Sequence, residues 1–392
     1  MQKFDVIVVG LGAMGSATVY QLAKRGLSVL GIDQFSPPHN QGSSHGDTRI
    51  TRLAIGEGSH YTPLVMRSHE IWQEIESELK RDDLFTKVGL IFISSRVASA
   101  QVHVKDFFET TVNTAKKFDI RHDVLDSWEL RRKFPQLVIQ DDESGYYEYD
   151  AGFLRPEKCI AANLELASKY GARLISDTKV LDVKGERSVE VVTDSEVYSA
   201  DSAIVTAGAW INDFVLNRKE HFKIYRQVLY WFDVSERLDF YEPSKMPVFI
   251  WEPQGVPYGI YGFPAVDGPD GGLKVAAEIF DHSIDGPDSL DRVVSAQETE
   301  HMYENYVKPL FKGISGKCLR SSVCMYTTTD DAGFVVDKVP GAERVWFASP
   351  CSGHGFKHSA AIGEAMAQLV VDGKSEIDLS GLSLGRFEKS IL

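Results

Sequence analysis

Three glycines near the amino terminus have the spacing of a turn that holds a dinucleotide. Gly10, Gly12 and Gly15 follow a short apolar run typical of a buried strand, and a helical pattern begins among them. Gly10 permits a tight turn, Gly12 lets the backbone approach a pyrophosphate, and Gly15 lets helix and strand pack closely. Because the first N–H groups of a helix attract phosphate, this segment predicts a dinucleotide site.

The residues beyond this turn indicate which dinucleotide binds. Asp33 ends the next apolar run 18 residues after Gly15, where a carboxylate accepts ribose hydroxyls and repels the 2′-phosphate of NADP. An NAD dehydrogenase would continue with further strand–helix–strand units. Here a turn-rich stretch and a loop at 42–52 follow, and the strand-like run 203–206 comes much later. Strands gathered from distant parts of the chain are typical of large flavoproteins, so the pattern indicates FAD.

Four blocks of sequence carry a resemblance to a known family. They are 4–33, the loop 42–52, 323–329 with the motif Cys-Met-Tyr-Thr, and the glycine-rich 352–358. At these blocks, and nearly end to end, the chain resembles the monomeric sarcosine oxidase and N-methyltryptophan oxidase family. The resemblance implies an FAD-dependent amine oxidase that acts on the CH–NH group of a small secondary amino acid, such as sarcosine or another N-methyl amino acid. The N-alkyl C–N bond would be oxidised to an imine that hydrolyses to aldehyde and amine, while O2 is reduced to H2O2.

The resemblance also assigns cofactor contacts. A cysteine in the family's Cys-Met-Tyr-Thr motif carries the flavin by a thioether, and here it is Cys324. Without the motif Cys324 would be read as a small buried hydrophobe, as the other three cysteines are. The glycine loop before the helical pattern near 360 would present a helix start to the flavin. The remaining residues expected to contact FAD are Gly10, Gly12, Gly15, Asp33, Ser43, Thr48, Val180, Gly353, Gly355 and Lys357.

The same resemblance implies roles for basic and aromatic residues. Arg52 and Lys357 are expected to bind the substrate carboxylate together, since two cations suit one carboxylate. Lys274 matches the lysine that promotes the reaction of reduced flavin with oxygen. The other side chains expected at the reaction site are His45 and Arg49 against the flavin, and Tyr261 and Tyr326 along the substrate pocket. Taken singly, such residues are more often solvated cations or core aromatics.

One position departs from the sarcosine oxidase pattern. Lys274 and Glu278 share one face of a predicted strand, and sarcosine oxidase has a histidine where this chain has Glu278. The Lys-then-Glu spacing resembles fructosyl amino acid (Amadori) oxidases, where the glutamate helps to bind the sugar. N-methyl amino acids remain the first prediction, and fructosyl amino acids or cyclic imino acids (pipecolate, proline) are the alternatives. A flavin dehydrogenase with an electron carrier, and a non-catalytic flavin-binding module, also stay open.

The predicted fold class is α/β. A Rossmann-like FAD-binding domain of the glutathione-reductase/amino-acid-oxidase type would be built discontinuously from 1–86, 145–220 and 321–392. An α+β substrate domain with a mainly antiparallel sheet would come from 87–144 and 221–320, with the ligand cleft between the domains. Proline-started helices are predicted at 63–79 and 157–170, a capping box at Asp126 and Glu129, and strands at 228–232 and 248–251.

Composition limits the partners. The formal net charge is −14, and such a surface repels nucleic acid. Four cysteines without a CxxC pair predict neither a disulfide scaffold nor a metal site. No signal peptide or membrane-spanning run is recognised, so a cytoplasmic monomer is expected, whose partners are an amino acid substrate and O2.

Overall fold

The computed structural model describes residues 3–95, 106–185, 188–215 and 221–391. Its helices are α1 Ala13–Lys24, α2 Thr62–Leu79, α3 Phe107–Lys117, α4 Ser127–Lys133, α5 Pro156–Lys169, α6 Ala296–Met302 and α7 Ser359–Asp372. Its strands are β1 Lys3–Val9, β2 Val29–Ile32, β3 Arg49–Thr51, β4 Phe85–Lys87, β5 Leu90–Ser95, β6 His122–Leu125, β7 Glu143–Glu148, β8 Gly152–Leu154, β9 Arg173–Ile175, β10 Val180–Gly185, β11 Val189–Thr193, β12 Val197–Val205, β13 Lys223–Val234, β14 Val248–Glu252, β15 Ile260–Phe263, β16 Leu273–Ala277, β17 Ser283–Ile284, β18 Ile314–Thr328, β19 Val335–Val339 and β20 Ala342–Ser349.

The first sheet surrounds the amino-terminal strand. Its order is β10-β11-β12-β1-β2-β9, and β20 pairs with both β12 and β19. Strands β20, β12, β1, β2 and β9 are parallel neighbours, although they come from widely separated parts of the chain. Helix α1 packs against α5 and α7 on one face of this sheet, where a large apolar core forms. Buried strands of this kind need cover on both faces, which explains their continuous apolar runs.

The second sheet is mainly antiparallel. Its order is β17-β13-β16-β15-β14-β5-β7-β6, with β18 also paired to β13, and β14 with β5 is its one parallel pair among the described strands. A small third sheet has the order β3-β8-β4, and its strand β3 belongs to the predicted loop 42–52 that contains Arg49 and Arg52. Within the described residues, no helix combines the length and apolar character needed to cross a bilayer.

The local predictions agree with the observed elements. Helices α2 and α5 begin within one residue of the predicted starts, each with a proline in its first turn. The Asp126 side chain accepts from the Glu129 N–H and the Glu129 side chain accepts from the Asp126 N–H, so the capping box is confirmed. The predicted strands at 228–232 and 248–251 lie inside β13 and β14.

Candidate active site

The glycine turn is shaped by close approaches of the backbone. Gly10 has φ +88°, and a Cβ there would lie 2.6 Å from the carbonyl oxygen of Thr206. A Cβ on Gly15 would lie 1.7 Å from the Gly10 carbonyl oxygen. Around a Cβ on Gly12, by contrast, no described atom lies within 4 Å, because this position faces a cleft. The turn is therefore tightly packed at Gly10 and Gly15, whereas at Gly12 a ligand in the cleft can contact the protein backbone directly.

Asp33 stands at the same end of the cleft. Its Oδ2 accepts from the Leu11 N–H at 2.6 Å and its Oδ1 accepts from the Phe35 N–H at 2.8 Å. These two bonds fix the carboxylate, and each oxygen keeps a lone pair for a ligand hydroxyl. No described side chain caps the start of α1, so its first N–H groups also remain available to an anion. This donor and acceptor set fits the diphosphate and ribose of a dinucleotide.

The cleft is long and mostly apolar, with about 1360 Å³ of empty space that includes its open mouth. Its lining comes from three separated parts of the chain, 9–49, 160–214 and 326–356, as discontinuous parallel strands require. The predicted residues that line it are Gly10, Gly12, Asp33, Ser43, Arg49, Val180, Tyr326, Gly353 and Gly355. It also includes Trp210 and Cys351, which sequence reasoning did not assign to the site. These residues fit an extended cofactor with a polar and an aromatic end.

One face of the second sheet presents several predicted residues to this region. Cys324 and Tyr326 point to the same side of β18, and Lys274 shares that side on β16. Leu229, Trp231 and Ala276 pack with Cys324 and Tyr326 in one apolar cluster. Strands β16 and β18 both pair with β13, and the period-two alternation of the two flanking strands gathers residues that lie about fifty positions apart in sequence.

Lys274 is almost completely buried, at 2% exposure. Its Nζ donates to the Gly46 carbonyl at 2.6 Å and to the Thr48 carbonyl and hydroxyl at 3.0 Å each. The ammonium also lies 4.6 Å from the centre of the Phe263 ring. Burial lowers the pKa of Lys274 well below its ordinary value, and the nearby Arg49 guanidinium lowers it further. Thr48, expected at the cofactor, holds Lys274 with both of its oxygens.

Arg49 and His45 belong to the same loop. The Arg49 guanidinium donates to the carbonyls of Thr48 at 2.9 Å and Ser43 at 2.7 Å while it lines the cleft. His45 is buried, and its Nε2 has no hydrogen-bond partner among the described residues. Burial and the positive charge of Arg49 lower the pKa of His45 to about 3. The loop thus offers a fixed cation and a neutral imidazole.

The two predicted tyrosines are in direct contact. The hydroxyl groups of Tyr261 and Tyr326 lie 2.9 Å apart. Burial raises the pKa of both above the ordinary value, and the negative charge of Glu278 adds to the effect. Both tyrosines are therefore neutral at physiological pH. Glu278 is half-buried and close enough to act electrostatically on them and on Lys357.

The predicted carboxylate-binding residues lie in a second buried cluster. Arg52 donates to Glu57 Oε2 at 2.6 Å and to the carbonyl of Ala54. Glu57 Oε1 lies 3.7 Å from His354 Nδ1, and Lys357 Nζ donates to the His354 carbonyl at 2.6 Å. Glu57 was not identified from the sequence, because an acid in a polar loop gives no signal of burial. The Glu57 carboxylate interacts with Arg52 and Lys357, the same two cations that are predicted to bind the substrate carboxylate.

The charged groups of this cluster shift one another's pKa values. Burial raises the pKa of Glu57, but Arg52, His354 and Lys357 together hold it well below its ordinary value. Burial lowers the pKa of Lys357 to about 8, with the charge of Arg52 adding to the effect and those of Glu57 and Glu278 opposing it. Arg52 and Glu57 therefore form a buried ion pair, and Lys357 titrates close to neutral pH.

Two cysteines lie in or close to the lining of the cleft: Cys351 lines it, and Cys324 packs in the cluster of Tyr326, which also lines it. Cys324 is fully buried, and burial raises its thiol pKa while the positive charges of Arg49 and Lys274 oppose the rise. Cys351 lines the cleft, and its Sγ accepts from the Thr327 N–H at 3.3 Å. Sequence reasoning treated Cys351 as an ordinary core cysteine, since no motif surrounds it.

Comparisons with known sequences agree with this geometry. The family profile described as FAD dependent oxidoreductase (DAO) matches residues 5–369. The chain is 39% identical over 388 residues to the monomeric sarcosine oxidase of Bacillus sp. (strain B-0618), covering 98% of this chain and 96% of that protein. It is 32% identical over 389 residues to the N-methyl-L-tryptophan oxidase of Escherichia coli O81 (strain ED1a), covering 98% and 100%.

Solved structures show the same fold. NikD, an unusual amino acid oxidase essential for nikkomycin biosynthesis, matches with a TM-score of 0.83 at 21% identity, over 98% of both chains. Glycine oxidase from Geobacillus kaustophilus matches with a TM-score of 0.78 at 18% identity, over 98% of this chain and 99% of that one. At these identities the likeness concerns the fold alone.

Proposed function

Because this chain belongs to the family of FAD-dependent oxidoreductases, we propose that it is an oxidase of a small secondary amino acid, with N-methyl amino acids such as sarcosine as its substrate class. Two relatives named for sarcosine and for N-methyl-L-tryptophan support this substrate class, since both of those compounds are N-methyl amino acids. The reaction oxidises the N-alkyl C–N bond to an imine, which hydrolyses to an aldehyde and an amine, and reduces O2 to H2O2.

The observation that carries the proposal is a pair of buried cations together with a pair of neutral tyrosines, with Glu278 acting electrostatically on Lys357 and on both tyrosines. Arg52 and Lys357 supply donors for a carboxylate, and Tyr261 with Tyr326 supplies a neutral wall for the amine end. Glu57 already accepts a hydrogen bond from the Arg52 guanidinium. A substrate carboxylate therefore either shares this guanidinium with Glu57 or replaces Glu57 on it. A substrate with one carboxylate and a short N-alkyl amine matches this arrangement.

The chain's own residues divide the chemistry between binding and oxygen reduction. When bound, FAD would supply the two-electron acceptor for the hydride equivalent lost from the N-alkyl carbon, and O2 would be the final acceptor of those electrons. The substrate carboxylate lies on Arg52 and Lys357, which orients the N-alkyl group. The amine reacts in its neutral form, because its lone pair drives the oxidation. Although burial lowers the pKa of Lys274, its Nζ has three acceptor oxygens, which match the three N–H bonds of a charged ammonium. That ammonium places a positive charge where oxygen becomes negative, and such a preorganised charge lowers the barrier.

A covalent link between FAD and Cys324 is part of the proposal. The thiol lies in the same buried cluster as Tyr326, and Tyr326 lines the cleft. Burial raises the pKa of the Cys324 thiol, and the positive charges of Arg49 and Lys274 offset part of that rise. They thereby assist formation of the thiolate, which is the form that bonds to an electrophilic flavin methyl group. Cys351 is the alternative thiol and serves as the internal comparison.

The proposal extends to organisation. We propose a discontinuous FAD-binding domain of 1–86, 145–220 and 321–392, and a substrate domain of 87–144 and 221–320. The first sheet draws its strands from the former set, and the second sheet draws most of its strands from the latter. Strands β4, β7 and β18 each extend across one of these bounds and so connect the two proposed domains. Relatives named as monomeric support a monomer.

The test is spectroscopic. The purified holoenzyme is precipitated with acid, and the native enzyme is mixed anaerobically with sarcosine, N-methyltryptophan, pipecolate and fructosyl-glycine in turn. We expect yellow colour to stay with the precipitate, an N-methyl amino acid to bleach the flavin, and peroxide to form one-to-one with substrate in air. Bleaching only by fructosyl-glycine would assign a sugar-binding role to Glu278 and overturn the substrate class. Bleaching without peroxide would indicate a dehydrogenase, and no bleaching by any amine would reject the oxidase.

A further inference from the structure

The loop beneath Lys274 has an unusual backbone. Gly46 and Asp47 are consecutive residues with positive φ, 93° and 68°. For a non-glycine residue such as Asp47 this conformation is uncommon and has to be held by its surroundings. It directs the carbonyls of Gly46 and Thr48 towards Lys274, which donates to both. The position of the ammonium therefore depends on what fixes this loop.

A single carboxylate holds the other side of the same loop. Glu157 Oε1 accepts from the Gly46 N–H at 2.6 Å and from the Asp47 N–H at 3.1 Å. Glu157 lies in the first turn of α5, where an acid ordinarily stabilises the helix dipole. Here its oxygen bonds a loop more than a hundred residues earlier. The loop is thus held between a carboxylate that accepts its N–H groups and an ammonium that donates to its carbonyls.

We propose that Glu157 is a positioning residue for Lys274, which it holds at the cofactor by fixing the backbone of Gly46 and Asp47. This inference rests on the oxygen-reducing role proposed for Lys274. A charge-assisted bond to a carboxylate is stronger than a neutral one, so its loss frees both N–H groups and relaxes a backbone conformation that is otherwise unfavourable. Arg320 also pairs with Asp47, but this contact fixes only a side chain on the exposed side.

A parallel arrangement separates this role from general stability. Glu148 accepts from the Leu53 N–H at 2.6 Å and from the Ala54 N–H at 3.1 Å, and the Ala54 carbonyl in turn accepts from Arg52. Glu148 thus fixes the backbone at Leu53 and Ala54, next to the predicted substrate ligand Arg52 (the substrate end). Glu157 fixes the backbone at Gly46 and Asp47, next to Lys274 (the oxygen end). Changing each glutamate is expected to disturb a different half of the reaction.

The experiment compares variants at one position with two controls. Glu157→Ala removes the acceptor, Glu157→Asp withdraws it by one methylene, and Glu157→Gln keeps a carbonyl oxygen that can accept both N–H groups. Glu165→Ala, exposed on the same helix, controls for the loss of an acidic side chain from α5. Glu148→Gln is the variant for the substrate end; because Glu148 uses a separate oxygen for each N–H group, the amide there loses one of the two acceptors. Each holoenzyme is reduced by light without substrate and mixed with oxygen, and hydrogen exchange is followed separately at the amides of Gly46 and Asp47.

We expect Glu157→Ala to slow reoxidation about tenfold, the equivalent of roughly 1.4 kcal/mol in the barrier. Its rate of reduction by substrate should change less than about twofold, and exchange at the two amides should accelerate. Glu157→Asp should show the same pattern more weakly, Glu157→Gln should recover most of the rate, and Glu165→Ala should match the unmodified enzyme. Glu148→Gln should instead weaken substrate binding and leave reoxidation unchanged.

Two results would overturn the inference. One is Glu157→Ala, or Glu157→Asp if the alanine variant does not fold, reoxidising at the unmodified rate. The other is a variant in which reduction and reoxidation slow equally, since a loss of general structure has that effect. Because light replaces the substrate, the measurement does not depend on which amine is oxidised. If Lys274→Met reoxidises normally, the role of Lys274 itself fails, whatever Glu157 does.

Discussion

The pKa of Lys357 makes carboxylate binding depend on pH in a way that the structure predicts. Lys357 is buried beside Arg52, and its pKa is lowered to about 8. Below that pH two cations face the carboxylate, and above it only Arg52 remains charged. Glu57, whose pKa lies well below its ordinary value, stays ionised throughout this range. The affinity for a simple carboxylate should therefore fall as the pH rises through about 8.

The size of the effect follows from the strength of one charge-assisted hydrogen bond. Such a bond contributes about 1.5–3 kcal/mol. Because each 1.4 kcal/mol is a factor of ten, the dissociation constant should rise by about 10- to 140-fold. The rise begins near pH 8, where the free ammonium starts to lose its proton. It levels off one to two pH units higher, once proton loss has removed the whole contribution of the ammonium.

The assay titrates oxidised holoenzyme with acetate and follows the flavin absorbance from pH 7 to pH 10. Acetate replaces the substrate because it has no amine to titrate. Acetamide, the neutral analogue, reports every other ionisation in the site and should bind with a flat profile. Lys357→Met should bind acetate weakly and without the pH dependence. A flat acetate profile in the unmodified enzyme, or an equal rise in Lys357→Met, would refute the assignment of the titrating cation.

Three further predictions concern the oxygen site, the thiols and the glycine turn. Lys274→Met should slow reoxidation roughly 100-fold while reduction stays within a factor of two in stopped-flow traces, because a preorganised charge acts only where negative charge develops. Cys324→Ser should release the yellow colour on acid precipitation, whereas Cys351→Ser should retain it; the reverse would move the link to Cys351. Gly15→Ala should fail to give soluble folded protein, since its Cβ would meet a carbonyl oxygen at 1.7 Å. Gly12→Ala should fold but lose FAD, because its Cβ enters the open cleft. Circular dichroism and the cofactor content of the purified protein test both expectations.

Some of the fold can be read from the sequence because the signals are local. The glycine turn, the prolines at the starts of α2 and α5 and the capping box at Asp126 each need only a few neighbouring residues, and the structure confirms them. The family resemblance and the α/β fold of the amino-acid-oxidase type are also confirmed, by the profile match and the solved structures. Pairings between distant strands, such as β12 with β20, have no local signal, and the sequence analysis predicted no individual pairing of this kind.

The parts of the site that were missed depend on contacts between distant segments. Glu57 and Glu157 look like ordinary loop and helix acids, because nothing nearby in sequence shows that Arg52 or the Gly46 amide lies against them. Cys351 likewise lacks a motif, although it lines the cleft. Most of the side chains named from the resemblance for the reaction site were cations and aromatics with a chemical role. The acids that hold them had to come from the three-dimensional contacts.

The balance of charge in the site also bears on which form of the amine binds. Arg52 and Lys357 contribute two positive charges below pH 8, and Glu57 and Glu278 offset them with two negative ones. The half-buried Arg49 guanidinium then leaves an excess of positive charge beside the amine. A substrate with a carboxylate and a neutral amine lowers that excess, whereas a zwitterion adds a cation to it. The site should therefore lower the pKa of the bound amine and select its reactive form, and Glu278→Gln, by removing one negative charge, should shift the pH profile of flavin reduction to lower pH.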